Sequence, residues 1–345
     1  MVAPRSVHPP LTDAISWVVG RGGLLGRGVE TVLATRGRTW HPAGRFRWED
    51  PDQVSSQLRA ACHAFAGEVG EEPWQVAWCA GAGVVGSTAG ELERETLALG
   101  HLLDALTESF ALRQGGRGAM FLASSAGGVY AGSPNPPFRE DSPVRPLAPY
   151  GENKLKQEHL AKEWSSRAGT PVLIGRISNL YGPGQNISKN QGLITTVCRR
   201  VLARQPLMLY VPLDTIRDYC YVGDASRLVA DGLERLRREA IATDAATSAT
   251  SPAVVVKIIA SQQPATIGTV LAQVRWVTKR PVSVMIATSA NAGRQAADLR
   301  MISTVWPELD RHPVTTMSAG LRAVVNELLD MAGRGVFAAE SLGGT

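Results

Sequence analysis

The chain has 345 residues, 44% of them hydrophobic and 19% charged, and 36 Lys and Arg against 31 Asp and Glu leave a net charge of +5. This mixture can bury a core and excludes wholesale disorder, and the length suits one large domain or two smaller ones. The basic residues are scattered, with no run of five and no aromatic-basic repeat, which argues against a nucleic-acid partner. No apolar stretch approaches about 18 residues, so no membrane span is expected. Cys62, Cys79, Cys198 and Cys220 form no Cys-x-x-Cys pair and the six histidines share no ligand spacing with them, so no metal site is expected. A reducing cytoplasm is the expected location.

In chain order, residues 1–13 read as a loose tail, polar and with three prolines among the first ten residues. The apolar run at 14–19 reads as a buried strand that stops at a glycine cluster, with a helix over 26–34. A second strand at 76–79 leads into Gly81-Ala82-Gly83 and a helix over 91–110, where Leu92, Leu99, Leu102, Leu103 and Leu106 recur at helical intervals. Strands at 119–123 and 172–174 flank a helix at 150–167. Short apolar runs alternating with helices specify an α/β protein with a doubly wound parallel sheet. Beyond residue 182, helices are expected at 193–203, 225–237, 266–277 and 317–331, and strands near 208–211, 254–259 and 282–286. Residues 240–251, nearly all Ala, Thr and Ser, read as a solvated connector. Residues 332–345 read as a second tail. Trp17, Trp48, Trp74, Trp78, Trp164, Trp276 and Trp306 lie in or beside these elements and read as packing residues. The stripe at 317–331 suits a core-facing helix and leaves a homodimer open.

Two constellations carry chemistry. Gly20, Gly23 and Gly26 are spaced Gly-x-x-Gly-x-x-Gly between the first strand and helix. Glycine at such places permits a tight turn, lets backbone amides approach a diphosphate and lets helix and sheet pack closely. The second is Ser124-Ser125 at a strand end, followed by Tyr150 and Lys154. Four residues are just over one helical turn, so Tyr150 and Lys154 share a face, and an ammonium beside a phenol favours the phenolate. Such a phenol serves as a general acid or base.

Together with Ser125-Ala126-Gly127-Gly128-Val129-Tyr130, Arg176-Ile177-Ser178-Asn179-Leu180-Tyr181-Gly182-Pro183-Gly184 and Arg217-Asp218-Tyr219-Cys220-Tyr221-Val222-Gly223-Asp224, these motifs fall in a characteristic order. The chain resembles the extended short-chain dehydrogenases/reductases of the NAD-dependent epimerase/dehydratase type, the group that includes UDP-glucose 4-epimerase. The resemblance covers about residues 14–310. It implies a Rossmann domain at 14–180 that binds NAD or NADP through Gly20, Gly23, Gly26, Ala80, Gly81, Tyr150 and Lys154. It also implies a mainly substrate-binding region at 181–331, some of whose segments return to the sheet. Implied for catalysis are Tyr150 as acid/base, Lys154 as its partner and holder of the nicotinamide ribose, and Ser125 as hydrogen-bond partner of the reacting oxygen, with Ser124 the alternative on the substrate. Asn179 and Arg217 would meet the phosphates of a nucleotide sugar. Their alternatives are a loop cap for Asn179 and an ion pair with Asp218 or Asp224 for Arg217; Arg294 is a weaker phosphate candidate whose alternative is a plain surface role. The implied function is epimerisation or oxidoreduction of a nucleotide sugar; a keto-sugar reductase using NADPH and a dinucleotide-binding regulator are the alternatives.

The sequence departs from the family pattern at three points. The stretch Thr39-Trp40-His41-Pro42-Ala43-Gly44-Arg45, about 20 residues past the glycine turn, has no acid to take the adenosine ribose; instead Arg36, Arg38, Arg45 and Arg47 are nearby, which leaves room for a 2′-phosphate or else marks degraded cofactor binding. Glu49-Asp50 resembles the acidic turn that touches adenine, making Asp50 a contact, or else a helix N-cap before Pro51. Glu95 stands where the family usually has Asn, and Ala126-Gly127 replaces the Asp-Glu pair that sugar 4,6-dehydratases need.

Overall fold

The computed structural model describes residues 14–110, 118–188, 192–246, 253–287 and 296–336. Residues 1–13, Arg294 and the segment 337–345 lie outside the described residues.

The first strand, β1 (Ile15–Val19), is buried at all five positions, as an interior strand of a parallel sheet demands. It is followed by α1 (Leu24–Ala34), β2 (Thr39–Trp40), α2 (Pro51–Val69), β3 (Trp74–Trp78), α3 (Ala89–Phe110) and β4 (Gly118–Ser125). Next come α4 (Ala126–Val129), α5 (Pro149–Ala168), β5 (Val172–Ile177), β6 (Asn179–Tyr181), α6 (Leu193–Leu202), β7 (Leu207–Leu209) and β8 (Ile216–Tyr221). The chain closes with α7 (Val222–Ala246), β9 (Val254–Ile259), β10 (Pro264–Thr266), α8 (Ile267–Thr278), β11 (Val284–Ile286), β12 (Asp298–Leu299) and α9 (Met317–Gly333).

Six strands form one parallel sheet in the order β2-β1-β3-β4-β5-β9. Apolar side chains of α2, α3 and α5, among them Leu58, Phe65, Leu102 and Trp164, cover one face. The other face is covered by α1 and α7 through Val29, Leu33, Val229 and Leu233. The sheet therefore has a doubly wound α/β architecture. Strand β9 comes from the second half of the chain, which stitches the two halves together. A smaller lobe packs α6, α8 and α9 around Val197, Val270 and Leu321. Between the two, β8 pairs with β10, β12 and β6.

Several elements differ from the sequence reading. Helix α2 was not expected, although Val54, Leu58, Ala61, Cys62, Phe65 and Val69 form its buried stripe. Helix α7 continues to Ala246, so residues 240–246 extend a helix instead of forming a connector; alanine is the strongest helix former. Strands β4 and β5 run two and three residues beyond the apolar core of each segment, because β4 pairs with β5 and β5 also pairs with β9 along that length. Of the tryptophans read as packing residues, Trp48 and Trp276 are 37% and 56% exposed.

Buried charge ties the layers together. The Arg176 guanidinium on β5 grips Glu158 of α5 at two points, Nε to Oε1 at 3.0 Å and Nη2 to Oε2 at 2.7 Å. Its Nη1 donates to the Tyr130 hydroxyl at 2.6 Å, and the Ser124 hydroxyl donates to Glu158 Oε1 at 2.6 Å. Glu140 clamps β9 to the segment after β12 by accepting from Ile258 N, Thr304 N and the hydroxyls of Ser303 and Thr304, at 2.7–2.9 Å. Burial would raise the Glu140 pKa, but these hydrogen bonds outweigh it and hold the carboxyl below the usual range.

Removing one partner of the Arg176–Glu158 pair leaves the other charge buried, so Arg176→Met is expected to cost about 3–5 kcal/mol in urea unfolding. A depressed carboxyl pKa contributes stability that is present above the unfolded-state value and is lost as pH falls through the folded one. Glu140→Gln is therefore expected to lower stability at neutral pH and to flatten its acid-side decline, read as the unfolding midpoint against pH.

Candidate functional site

The strand order reverses between β1 and β3: from β1 the chain proceeds outward to β2, and from β3 it proceeds in the opposite direction to β4. A crevice opens at such a reversal beyond the carboxyl ends of the strands. Three glycines shape it. Gly20 has φ +88, and a Cβ there would lie 2.5 Å from the Ala80 backbone nitrogen at the end of β3. Gly23 caps α1, and its N–H donates to Gly20 O at 3.0 Å. A Cβ on Gly26 would collide with the Gly20 carbonyl. The amino end of α1 thus faces the crevice with no acid in its first turn, a fit for the diphosphate of a dinucleotide.

The crevice is part of a cleft of about 1510 Å³ that runs from Gly20, Gly23, Ala80 and Gly81 to Ser125, Tyr150, Asn179 and Arg217. Fold elements far apart in sequence are needed to build it. Ser125 ends β4 and caps α4, and its hydroxyl accepts from Gly128 N at 3.1 Å. With that lone pair engaged, its proton is free to donate into the cleft. Tyr150 lies in the first turn of α5, its ring against Gly128, where a Cβ would come within 3.0 Å of Tyr150 Cε1. One turn on, Lys154 is buried with Nζ 5.8 Å from the Tyr150 ring centroid. Ser124 points elsewhere: it is buried, bonded to Glu158, and does not line the cleft.

Asn179 enters from β6, which pairs with β8 and so stands beside Tyr219 and Arg217. Arg217 is only 8% exposed, and burial lowers its pKa from the ordinary arginine value against the opposing charges of Tyr219 and Asp298. Its Nη1 donates to Ile216 O at 2.8 Å. The alternative ion pairs do not form: Asp218 accepts from Ser178 and Ser261, and Asp224 from Arg227 and Thr315. Arg217 therefore has no carboxylate within 4 Å among the described residues.

The adenosine end differs from the sequence reading. Asp50 caps α2, accepting from Gln53 N at 3.1 Å and Gln53 Nε2 at 2.6 Å, and does not line the cleft. Its neighbours Trp48 and Glu49 do, with Trp48 edge-on to Trp78 at 6.0 Å between centroids. Two of the four arginines face away from the cleft: Arg36 pairs with Asp231, and Arg38, which precedes β2, pairs with Glu68 and Glu72. Only Arg45 and Arg47 lie between β2 and α2. Glu95 accepts from the amides of Ala82 and Gly83, both at 2.5 Å, and so pins the loop after β3. Trp48, Glu49 and Tyr219 were not singled out as site residues; the sequence cue for the first two was their position just before a helix cap.

No group of three or more His, Cys, Asp and Glu among the described residues could hold a metal ion, and no described helix is long and apolar enough to cross a membrane.

The fold and parts of the sequence have known counterparts. A 101-residue stretch is 33% identical to the dTDP-L-rhamnose 4-epimerase of Burkholderia thailandensis, covering 29% of this chain and 28% of that one. A 123-residue stretch is 32% identical to a dTDP-4-dehydro-6-deoxyglucose reductase of Escherichia coli, covering 36% and 39%. The matched stretches span 25–39% of the lengths of these and similar curated relatives. The UDP-glucose 4-epimerase of Thermotoga maritima, solved with UDP-glucose, has the same fold, with a TM-score of 0.70 at 16% identity over 92% of this chain and 99% of that one. The sequence pattern of the NAD dependent epimerase/dehydratase family matches residues 17–242, and the chain belongs to that family.

Proposed function

We propose that the protein is an NAD- or NADP-dependent enzyme that oxidises, and in the simplest case epimerises, a hydroxyl-bearing carbon of a nucleotide-linked sugar. The observation that carries this reading is a single cleft with a diphosphate cradle at one end and Ser125 and Tyr150 at the other, backed by the buried Lys154 ammonium, which does not line the cleft but lies 5.8 Å from the Tyr150 ring centroid. A nicotinamide ring bound between them would accept and return hydride. Tyr150 Oη takes the proton of the sugar hydroxyl as the carbon gives up its hydrogen, and returns the proton when hydride comes back. The Lys154 ammonium stabilises the phenolate through space, and its burial keeps water from screening that charge. Ser125 Oγ donates to the oxygen that becomes a carbonyl. Arg217, poorly solvated and with no carboxylate in ion-pair contact among the described residues, suits the sugar nucleotide's diphosphate, with Asn179 beside it. Elimination of water is disfavoured, although dTDP-glucose 4,6-dehydratases are among the similar curated proteins, because Ala126 and Gly127 follow Ser125 where a dehydratase needs two acids.

A reductase reading rests on one observation: β2 ends at Trp40 and is followed by His41, so the strand end itself carries no carboxylate, and the acid beside it, Glu30 of α1, lies 3.3 Å from His41 Nδ1. Keto-sugar reduction uses the same Ser125, Tyr150 and Lys154. A reductase depletes the nicotinamide absorbance with each turnover; an epimerase leaves it unchanged.

Tyr150→Phe is expected to abolish turnover in a screen of UDP- and dTDP-linked sugars while leaving NAD(H) affinity within about three-fold of the parent; retained turnover sinks the assigned role. Gly26→Ala is expected to weaken NADH binding by at least about ten-fold in a fluorescence titration, because the new methyl displaces the Gly20 carbonyl and the loop it belongs to.

A further inference from the structure

The Lys154 ammonium makes one hydrogen bond among the described residues, and Tyr150 is not its partner. Nζ donates to Gln157 Oε1 at 3.0 Å, and Gln157, one turn further along α5, is 1% exposed. An ammonium has no lone pair, so the Gln157 atom facing it must be the carbonyl oxygen. The amide nitrogen then points the other way, and it donates to Thr96 Oγ1 of α3 at 3.4 Å. The Thr96 hydroxyl in turn donates to Asn153 Oδ1 at 2.7 Å, which leaves its lone pairs for Gln157. The ammonium thus fixes the orientation of the Gln157 amide, and the chain Lys154–Gln157–Thr96–Asn153 bridges α5 to α3, with Asn153 Nδ2 buried and without a partner at its far end.

We propose that Gln157 is a positioning residue for the acid/base pair: its neutral carbonyl oxygen holds the Lys154 ammonium behind the Tyr150 ring without cancelling its charge. This rests on the reading of Tyr150 as acid/base. A carboxylate at the same place would hold the ammonium as firmly but neutralise its field, and an apolar side chain would leave it buried and unpaired.

The surrounding charges do not already neutralise it. On α3, Glu95 accepts from the amides of Ala82 and Gly83 through Oε1, with Oε2 buried and unpartnered, and Glu91 and Arg94 line the cleft. Glu158 of α5 is closed on Arg176 of β5, and Glu152 and Lys156 of α5 are exposed. Helix α4 carries no charged residue, and β8 contributes Arg217 across the cleft. No carboxylate lies within 4 Å of Lys154 among the described residues.

The test uses the full chain without substrate. The phenolate ultraviolet band is titrated in the parent and in Gln157→Glu and Gln157→Met, and Tyr150→Phe is subtracted to isolate Tyr150. The expected result is a Tyr150 transition displaced to higher pH in both variants. Either variant suffices if the other does not fold, as judged by its thermal transition. Lys154→Met is expected to abolish the further displacement by Gln157→Met, since the residue acts through the ammonium. Turnover at neutral pH is expected to fall about ten-fold in Gln157→Glu and to recover as the pH is raised. An unchanged Tyr150 transition, or an equal displacement in the absence of Lys154, overturns the proposal. A displaced transition in a protein that turns over no nucleotide sugar supports the role of Gln157 and counts against the proposed function alone.

Discussion

Everything at the site depends on how closely the first turn approaches the end of the third strand. At Gly20 the chain leaves β1 with a positive φ and passes so near Ala80 that no side chain fits between them. Gly26 then brings α1 down onto the Gly20 carbonyl. These two contacts aim the helix amino end into the crevice where the sheet changes direction. With any larger residue the helix would stand off and its free N–H groups would point past the diphosphate instead of at it.

The other end of the cleft is held by charge buried where the sheet meets α5. Arg176 does not face the cleft, yet it fixes Glu158, Tyr130 and, through Glu158, Ser124. Ser125, the next residue along β4, faces the opposite way by the alternation of a strand and emerges into the cleft. The same helix that carries Glu158 carries Tyr150, Lys154 and Gln157, so one buried ion pair sets the depth of all three. Burial is costly for Arg176 and Glu158 separately and is offset by their bidentate contact. That arrangement suits a site that must keep a phenol and an ammonium in fixed relation.

The departures from the family pattern are resolved by geometry in different ways. Glu95, an acid where an amide is usual, has its Oε1 engaged by two backbone amides and so serves as a loop anchor. Beneath the active-site helix, Thr96, Asn153 and Gln157 form a polar circuit from residues on two helices. At the adenosine end, His41 with Glu30 beside it follows β2 where a single acid is expected, and Trp48, Glu49 and Trp78 line the cleft. The arginines that suggested a phosphate pocket are divided, two before β2 and held in ion pairs, and two within the loop between β2 and α2.

The sequence alone was enough to determine the layer architecture, because buried parallel strands must be continuously apolar and covering helices must repeat their apolar residues each turn. It also determined the glycine turn and the pairing of Tyr150 with Lys154, both of which depend on residues a few positions apart. It left α2 unread despite a complete stripe, since the strong turn signals before Pro51 obscured the start of that helix. Only the tertiary structure decided which of two adjacent serines faces the cleft, that Asp50 is spent on a helix cap, that Arg217 escapes Asp218 and Asp224, and that Gln157 is the partner of Lys154. The serines and Arg217 depend on which atoms of distant segments compete for the same hydrogen bond, a competition that takes place only once the strands and helices are packed, whereas Asp50 and Lys154 each meet a partner three residues on, chosen from several that the spacing alone allows.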